Sequence, residues 1–174
     1  MNMRKMFLLV AMISVAAGRC VAQEKPGSDS SAMHSHHDAV NRRGDEVMGF
    51  SHEKTTHHFR LYHDGGAIEV QANDPKDTAS RDEIRSHLAH IAGKFAAGDF
   101  NAPMLIHSRV PPGVPTLKRM KDAVTYQFKE TERGGTVRIT TQDAEALKAV
   151  HDFLRFQIND HQTGDSLEVT EPQR

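Results

Sequence analysis

Two stretches of the chain, residues 57–74 and 126–143, repeat one pattern without a gap. In each stretch, apolar residues alternate with polar ones on both sides of a glycine pair, as at Gly65-Gly66. Such alternation predicts half-buried strands, and a glycine pair between alternating runs predicts a tight turn, because such turns need positive φ. The sequence therefore predicts two β-hairpins built on the same plan.

A helix is predicted after each hairpin, because the apolar residues there recur every three or four positions. The first apolar stripe consists of Ile84, Leu88, Ile91 and Phe95, and the second of Leu147, Val150, Leu154 and Ile158. Two such ββα units predict an α+β fold, a four-stranded antiparallel sheet with both helices on one face. A single hairpin with its helix would bury too little apolar surface, so the two halves are expected to fold as one domain.

The segment between the halves, residues 100–122, contains four prolines, which exclude a long helix. We expect a short extended piece over residues 103–107 and one or two helical turns over residues 116–121. The second helix also carries Phe153 and Phe156 away from the centre of its stripe. These two rings are expected either to be covered by the linker or to form a homodimer interface.

The N-terminus has the pattern of a signal peptide, because Arg4 and Lys5 precede an apolar run that is too short to span a bilayer. Cleavage is expected after Ala22 or Gln23, which would leave the protein periplasmic or secreted, with no further membrane segment. The predicted organisation is a signal peptide over 1–22, a flexible leader over 23–47, a single α+β domain over 48–165 and a disordered tail over 166–174.

Cys20 is the only cysteine and would leave with the signal peptide. The mature protein would then have no disulfide, no cysteine nucleophile and no thiolate metal site. Lipidation of Cys20 is the alternative, but Arg19 stands where a small residue is expected. With a net charge of −1 and no clustered basic face, the chain is not expected to bind nucleic acid.

Histidine is the residue type that points to a function, with 12 in the chain against 2 tyrosines and no tryptophan. Imidazole is the commonest metal ligand in proteins. Glu83, His87 and His90 lie three or four residues apart on the first helix and form one polar stripe. This stripe predicts a half-site for a copper or zinc ion, and no organic cofactor is indicated. The plain alternative places His87 at the edge of the core and His90 on the surface.

Other histidines could complete this site. His57 lies on the strand face that carries the apolar residues and should point towards the helices, and His107 in the linker could supply another ligand. His151 is expected to be either a hydrogen-bonded core residue or a ligand that faces His87. A loose auxiliary metal site is predicted in the leader at His34, His36 and His37.

Two further sets of residues have simpler interpretations. The position of His161 near a helix C-terminus is explained by the helix dipole. Thioethers select Cu(I), but Met48, Met104 and Met120 form no MxM or MxxM cluster, so packing is their default role.

No HExxH, GxSxG, P-loop or GxGxxG pattern occurs in the chain, which favours a non-enzymatic protein. The leading hypothesis is an exported metal-binding protein that handles copper or zinc. One alternative is a non-catalytic dimeric module that binds a protein or a small ligand. Another is a metal-dependent hydrolase with Glu83 or Asp99 as its base.

Four segments also carry a resemblance to known proteins. They are MGF at 48–50, TTHHF at 55–59, the pattern HLxHIAxxFAxGDF at 87–100 and the pattern HxFLRxQIxxHxTGD at 151–165. Together they resemble an uncharacterised family of small exported bacterial proteins, some of which are named aspartate carbamoyltransferase. The resemblance implies an exported single domain. Because the chain lacks the Ser-Thr-Arg-Thr loop and the His-Pro-x-Gln signature of that enzyme, it implies no catalytic residues.

Overall fold

The computed structural model describes residues 28–172, which form five α-helices and one four-stranded sheet. The elements are α1 Ser28–Met48, β1 Thr55–Tyr62, β2 Gly65–Ala72, α2 Thr78–Ala96, α3 Asn101–His107, α4 Val114–Arg119, β3 Val124–Thr131, β4 Gly134–Thr141 and α5 Ala144–His161. Within the described range no helix combines the length and the apolar character needed to cross a bilayer. The predicted signal peptide, residues 1–22, lies outside that range.

The sheet is antiparallel, with strand order β1-β2-β4-β3, as the α+β prediction requires. All four strands are eight residues long. Tyr62 pairs with Gly65 in the first hairpin and Thr131 pairs with Gly134 in the second, so both have two-residue turns and the same register. The predicted duplication is confirmed at the level of structure.

Each long helix packs mainly on the hairpin of the other unit, α2 on β3 and β4, and α5 on β1 and β2. The glycine pairs make this close packing possible, because they lie at the start of β2 and β4 rather than in the turns, where they were predicted. A Cβ atom at Gly66 would lie 2.2 Å from Leu154 Cδ1, and one at Gly135 would lie 3.3 Å from Leu88 Cδ1. Each half therefore covers the apolar face of the other.

Replacement of Gly66 by alanine is expected to lower the free energy of unfolding by about 1–3 kcal/mol, the usual range for overpacking. The new methyl group would lie 2.2 Å from Leu154 Cδ1 and 2.4 Å from the carbonyl oxygen of Arg60. The control is Gly93→Ala on α2, where nothing lies within 4 Å of the added Cβ, and a stabilisation of about 0.5–1 kcal/mol is expected. Urea denaturation of both variants tests this, and a Gly66→Ala protein as stable as the wild type would contradict it.

The flexible leader predicted over residues 23–47 is wrong from residue 28 onward, because α1 packs against α3 and α5. Val40 is fully buried there. Arg43 donates a hydrogen bond of 2.6 Å to the carbonyl of Ile106. Contacts with distant parts of the chain hold this helix, and a local sequence pattern does not reveal them.

The disordered tail predicted over residues 166–174 is wrong for its described part. Thr170 forms a parallel bridge with Tyr62 and donates a hydrogen bond of 3.0 Å to the carbonyl of Leu61. The N–H group of His63 donates to the carbonyl of Thr170 at 3.3 Å. The tail thus covers the outer edge of β1, which would otherwise expose unpaired backbone groups.

The extended piece predicted over residues 103–107 is also wrong, because helix α3 occupies that position. Pro103 lies in the first turn of α3, where the missing N–H group removes no intrahelical hydrogen bond. The helical turns predicted over residues 116–121 are confirmed by α4 and by the 3₁₀ turn Lys121–Ala123.

The linker packs on the second side of α5, which is one of the two alternatives predicted for Phe153 and Phe156. Phe153 is 2% exposed and packs edge-on against Phe100 in the core. Phe156 lies against the His107 ring, with 4.9 Å between the centroids, and beneath the Arg109 guanidinium at 4.6 Å. Phe153 is therefore covered by the chain itself, whereas Phe156 is half-buried.

Candidate functional site

A groove rich in histidine lies between α1, the start of β1 and the C-terminal end of α5. Its volume is about 230 Å³. Its lining includes four imidazoles and one thioether, from His37, His52, His57, His161 and Met48. We call this space the histidine groove. Its walls come from distant parts of the sequence, so only folding assembles it.

His57 and His161 form a matched pair of rings in the histidine groove. Their planes are parallel to within 2°, and their centroids are 5.9 Å apart. His57 shares the helix-facing side of β1 with the buried Phe59, as predicted. The sequence interpretation of His161 as a helix-dipole residue missed this role, although the spacing of Leu154, Ile158 and His161 continues the apolar stripe.

Both rings are neutral at pH 7. Burial lowers the pKa of His57 to about 4, and the neighbouring His87 lowers it further. Burial also lowers the pKa of His161 well below its ordinary value, with His57 and His107 acting in the same direction. A neutral imidazole offers its lone pair to a ligand without first losing a proton.

A smaller, mostly apolar cavity of about 60 Å³ shares His57, His161 and Met48 with the histidine groove. We call it the inner cavity. His87 and Gln157 also line it. Gln157 is 5% exposed, and its Nε2 atom has no hydrogen-bond partner among the described residues. The same three side chains therefore border both spaces.

The buried carboxylate of Asp160 holds the helices around the groove. It accepts hydrogen bonds from His107 Nδ1 at 2.5 Å, from Arg109 at 2.5 Å and from His36 Nε2 at 3.1 Å. Burial alone would raise the pKa of Asp160, but the hydrogen bonds from His107 and His36 lower it overall. This network connects α1 and α3 to α5.

His52, in the loop between α1 and β1, is oriented by Asp45. Its Nδ1 atom lies 2.9 Å from Asp45 Oδ2, and its backbone N–H group donates to Oδ1 at 2.7 Å. A carboxylate that engages one ring nitrogen orients the other towards a ligand, as in carboxylate–histidine–metal triads. Sequence reasoning missed this pair because the two residues lie seven apart across a helix end.

The polar stripe predicted on α2 is divided by the structure. Glu83 and His90 are exposed. His87 is half-buried, with its ring edge-on to Phe50 at 5.6 Å, and it lines the inner cavity. Burial lowers the pKa of His87 to about 4, and His90 contributes to this shift. Of the three residues, only His87 reaches the region of His57.

The two remaining histidines of the predicted site, His107 and His151, have structural partners. The His107 ring lies 4.9 Å from that of His161, but both of its nitrogens are hydrogen-bonded. His151 Nε2 donates to the carbonyls of Tyr62 at 2.9 Å and Gly65 at 3.1 Å. The geometry favours the core interpretation of His151, since its ring holds the first hairpin turn.

The histidines of the predicted auxiliary site lie on α1. His36 is bound to Asp160, as described above. His37 Nε2 donates to the carbonyl of His161 at 3.2 Å, and its Nδ1 accepts from Asn41 at 3.4 Å. His34 is exposed on the same helix. Two of the three rings therefore help to hold α1 on α5.

Among residues 28–172, no three His, Cys, Asp or Glu side chains are arranged as a metal-ligand group. The histidine groove offers a different donor set, two parallel imidazoles beside a thioether. The resemblance to a family of small exported proteins stays a prediction, because comparisons with family models, with curated proteins and with solved structures find no match to this chain.

Proposed function

We propose that this protein is an exported metal-binding protein that holds its ion between His57 and His161. The separation of the two ring centroids, 5.9 Å, carries the proposal. A metal–imidazole bond is about 2.0 Å long, so two rings on opposite sides of one ion have centroids roughly 6 Å apart. The spacing therefore suits one ion. Because the lone pair of each nitrogen lies in its ring plane and the two planes are parallel, the side chains must turn to point both nitrogens at it.

The electrostatics and the rigidity of the groove support the same function. Because the pKa values of His57 and His161 are lowered, binding at pH 7 displaces no proton from either ring. The hydrogen bonds of Asp160 fix the end of α5 against α1 and α3, which limits the motion of the neighbouring His161. A backbone that is held in place lowers the cost of bringing the two ligands onto one ion.

The signal-peptide pattern of residues 1–22 is the reason for proposing that the protein is exported. An exported chain without cysteine would have no thiolate ligands, and the donors that line the groove are imidazoles and a thioether. The proposed role is therefore the handling of copper or zinc outside the cytoplasm.

The other two hypotheses receive less support. A metal-dependent hydrolase needs three protein ligands and an open position, and no such three-residue group of His, Cys, Asp or Glu occurs in the described part of the chain. The dimeric module rested on Phe153 and Phe156, of which Phe153 is buried in the core and Phe156 is half-buried against His107.

Titration of the purified protein with Cu(I), Cu(II) and Zn(II) tests the proposal. One equivalent of at least one of these ions is expected to bind with a Kd below about 1 μM. The variant His161→Phe should lose this binding, because phenylalanine keeps the ring contacts and removes a ligand. The exposed His90→Ala on α2 is the control and should bind as the wild type does. Absence of stoichiometric binding, or loss of binding only in the α2 variant, would overturn the proposal.

A further inference from the structure

We infer that the ion held in the histidine groove is Cu(I) and that the thioether of Met48 is its third ligand. This inference rests on the proposed function. Met48 lines both the groove and the inner cavity, together with His57 and His161. Its side chain folds back along α1, so that a Cβ atom at Gly44 would lie 3.1 Å from Met48 Cε. The thioether thus borders the same two spaces as the paired rings.

The donor set is soft. Among the described residues that line the groove and the inner cavity there is no carboxylate. Asp45, which lies near His57, is bound to His52. Thioether sulfur selects Cu(I), whereas carboxylates and water suit harder cations. The lining therefore favours a soft ion.

The number of donors also separates the two candidate metals. Zn(II) in proteins is almost always four-coordinate, with at least three ligands from the protein. Cu(I) accepts fewer ligands, and two imidazoles with one thioether satisfy it. Because no third His, Cys, Asp or Glu joins His57 and His161 as a ligand group within residues 28–172, the site is incomplete for Zn(II).

The apolar surroundings of His57 also favour Cu(I) over Zn(II). The centroid of the His57 ring lies 5.9 Å from that of Phe50 and 6.5 Å from that of Phe59. Desolvation of an ion in such surroundings is unfavourable, and it is more unfavourable for a divalent ion than for a monovalent one. Cu(I) would therefore enter this site at a smaller desolvation cost than Zn(II).

Competition titrations decide the inference. Cu(I) is measured anaerobically against a chromophoric chelator, and Zn(II) is measured against a second chelator, on the full wild-type protein. We expect Cu(I) to bind at least about 100-fold more tightly than Zn(II). The variant Met48→Leu, which conserves volume, should weaken Cu(I) binding at least about tenfold and leave Zn(II) binding unchanged. The control Met104→Leu, on α3, should change neither, and X-ray absorption should detect a sulfur ligand in the wild type but not in Met48→Leu.

The outcomes separate this inference from the function on which it rests. Tighter binding of Zn(II) than of Cu(I), or an unchanged Cu(I) affinity in Met48→Leu, would overturn the inference and leave metal binding in the groove standing. Failure of Cu(I) and Zn(II) to bind the wild type would overturn the inference, and failure of Cu(II) as well would overturn the proposed function together with it.

Discussion

Acidification from pH 7 to pH 4 is expected to lower the free energy of unfolding by about 4–6 kcal/mol, chiefly through His57 and His87. In the folded chain both have a pKa of about 4, against an ordinary value of 6.5. Between these pH values the unfolded chain binds more protons than the folded chain, so stability falls as the pH falls. With allowance for partial exposure, each ring contributes roughly 2–3 kcal/mol.

Two more histidines and two carboxylates also contribute to the pH dependence of the stability. His107 and His161 also have lowered pKa values, which adds to the loss between pH 6.5 and pH 4. The pKa values of Asp160 and Asp165 are lowered from the ordinary 3.8, so the stability that these carboxylates contribute is present above pH 3.8 and is lost as the pH falls further. The histidine effect therefore has its own pH window.

Urea denaturation at pH 7, 6, 5 and 4 measures this effect. The variant His87→Leu keeps an apolar group against Phe50 and should remove about 2–3 kcal/mol of the pH dependence. The control is His63→Leu, since the His63 side chain is 63% exposed at the first hairpin turn. A stability that does not change between pH 7 and pH 4 would show that these rings are not neutral in the folded protein.

The variant Asp160→Ala is expected to lower the free energy of unfolding by about 1–3 kcal/mol, the usual cost of leaving a buried hydrogen-bond donor without its acceptor. His107, which is 2% exposed, would lose the acceptor for its Nδ1 atom. Arg109 and His36 would lose their carboxylate partner as well. Because His36 holds α1, limited proteolysis should also cut α1 faster in the variant.

Asp152→Ala on the same helix is the matched control for this prediction. Asp152 forms an exposed pair with Lys148 at 2.6 Å and i,i+4 spacing. Its removal should change the stability by less than about 0.5 kcal/mol. Equal effects of the two substitutions in chemical denaturation would mean that the Asp160 network does not stabilise the fold. Asp160→Asn, which keeps the shape, should lie between the two.

Several parts of the fold could be predicted because they depend on neighbours in the sequence. Period-two alternation identified all four strands, and the period of three to four identified α2 and α5. The direction of the His57 side chain followed from the same alternation. The role of the glycine pair could not be predicted in this way. Position 66 requires glycine because α5, from the other half of the chain, packs closely against it.

The candidate site shows the same limit. His87 was identified from its helical spacing with Glu83 and His90, but spacing does not show which helix face will be covered. The structure leaves Glu83 and His90 exposed and brings His87 towards His57. His161 and His52 were missed as site residues, because each has its role through a partner that lies outside its own helix or strand.

By itself, the sequence determined the two hairpins, their common register and the helix that follows each of them, because local periodicity encodes these features. Only the tertiary structure decided that each long helix packs on the hairpin of the other unit, that α1 packs on α3 and α5, and that the histidine groove forms. These features depend on contacts between distant residues, such as His36 and Asp160, which are 124 positions apart. The pairing of such groups depends on where the folded backbone brings them, and that path is a property of the whole chain.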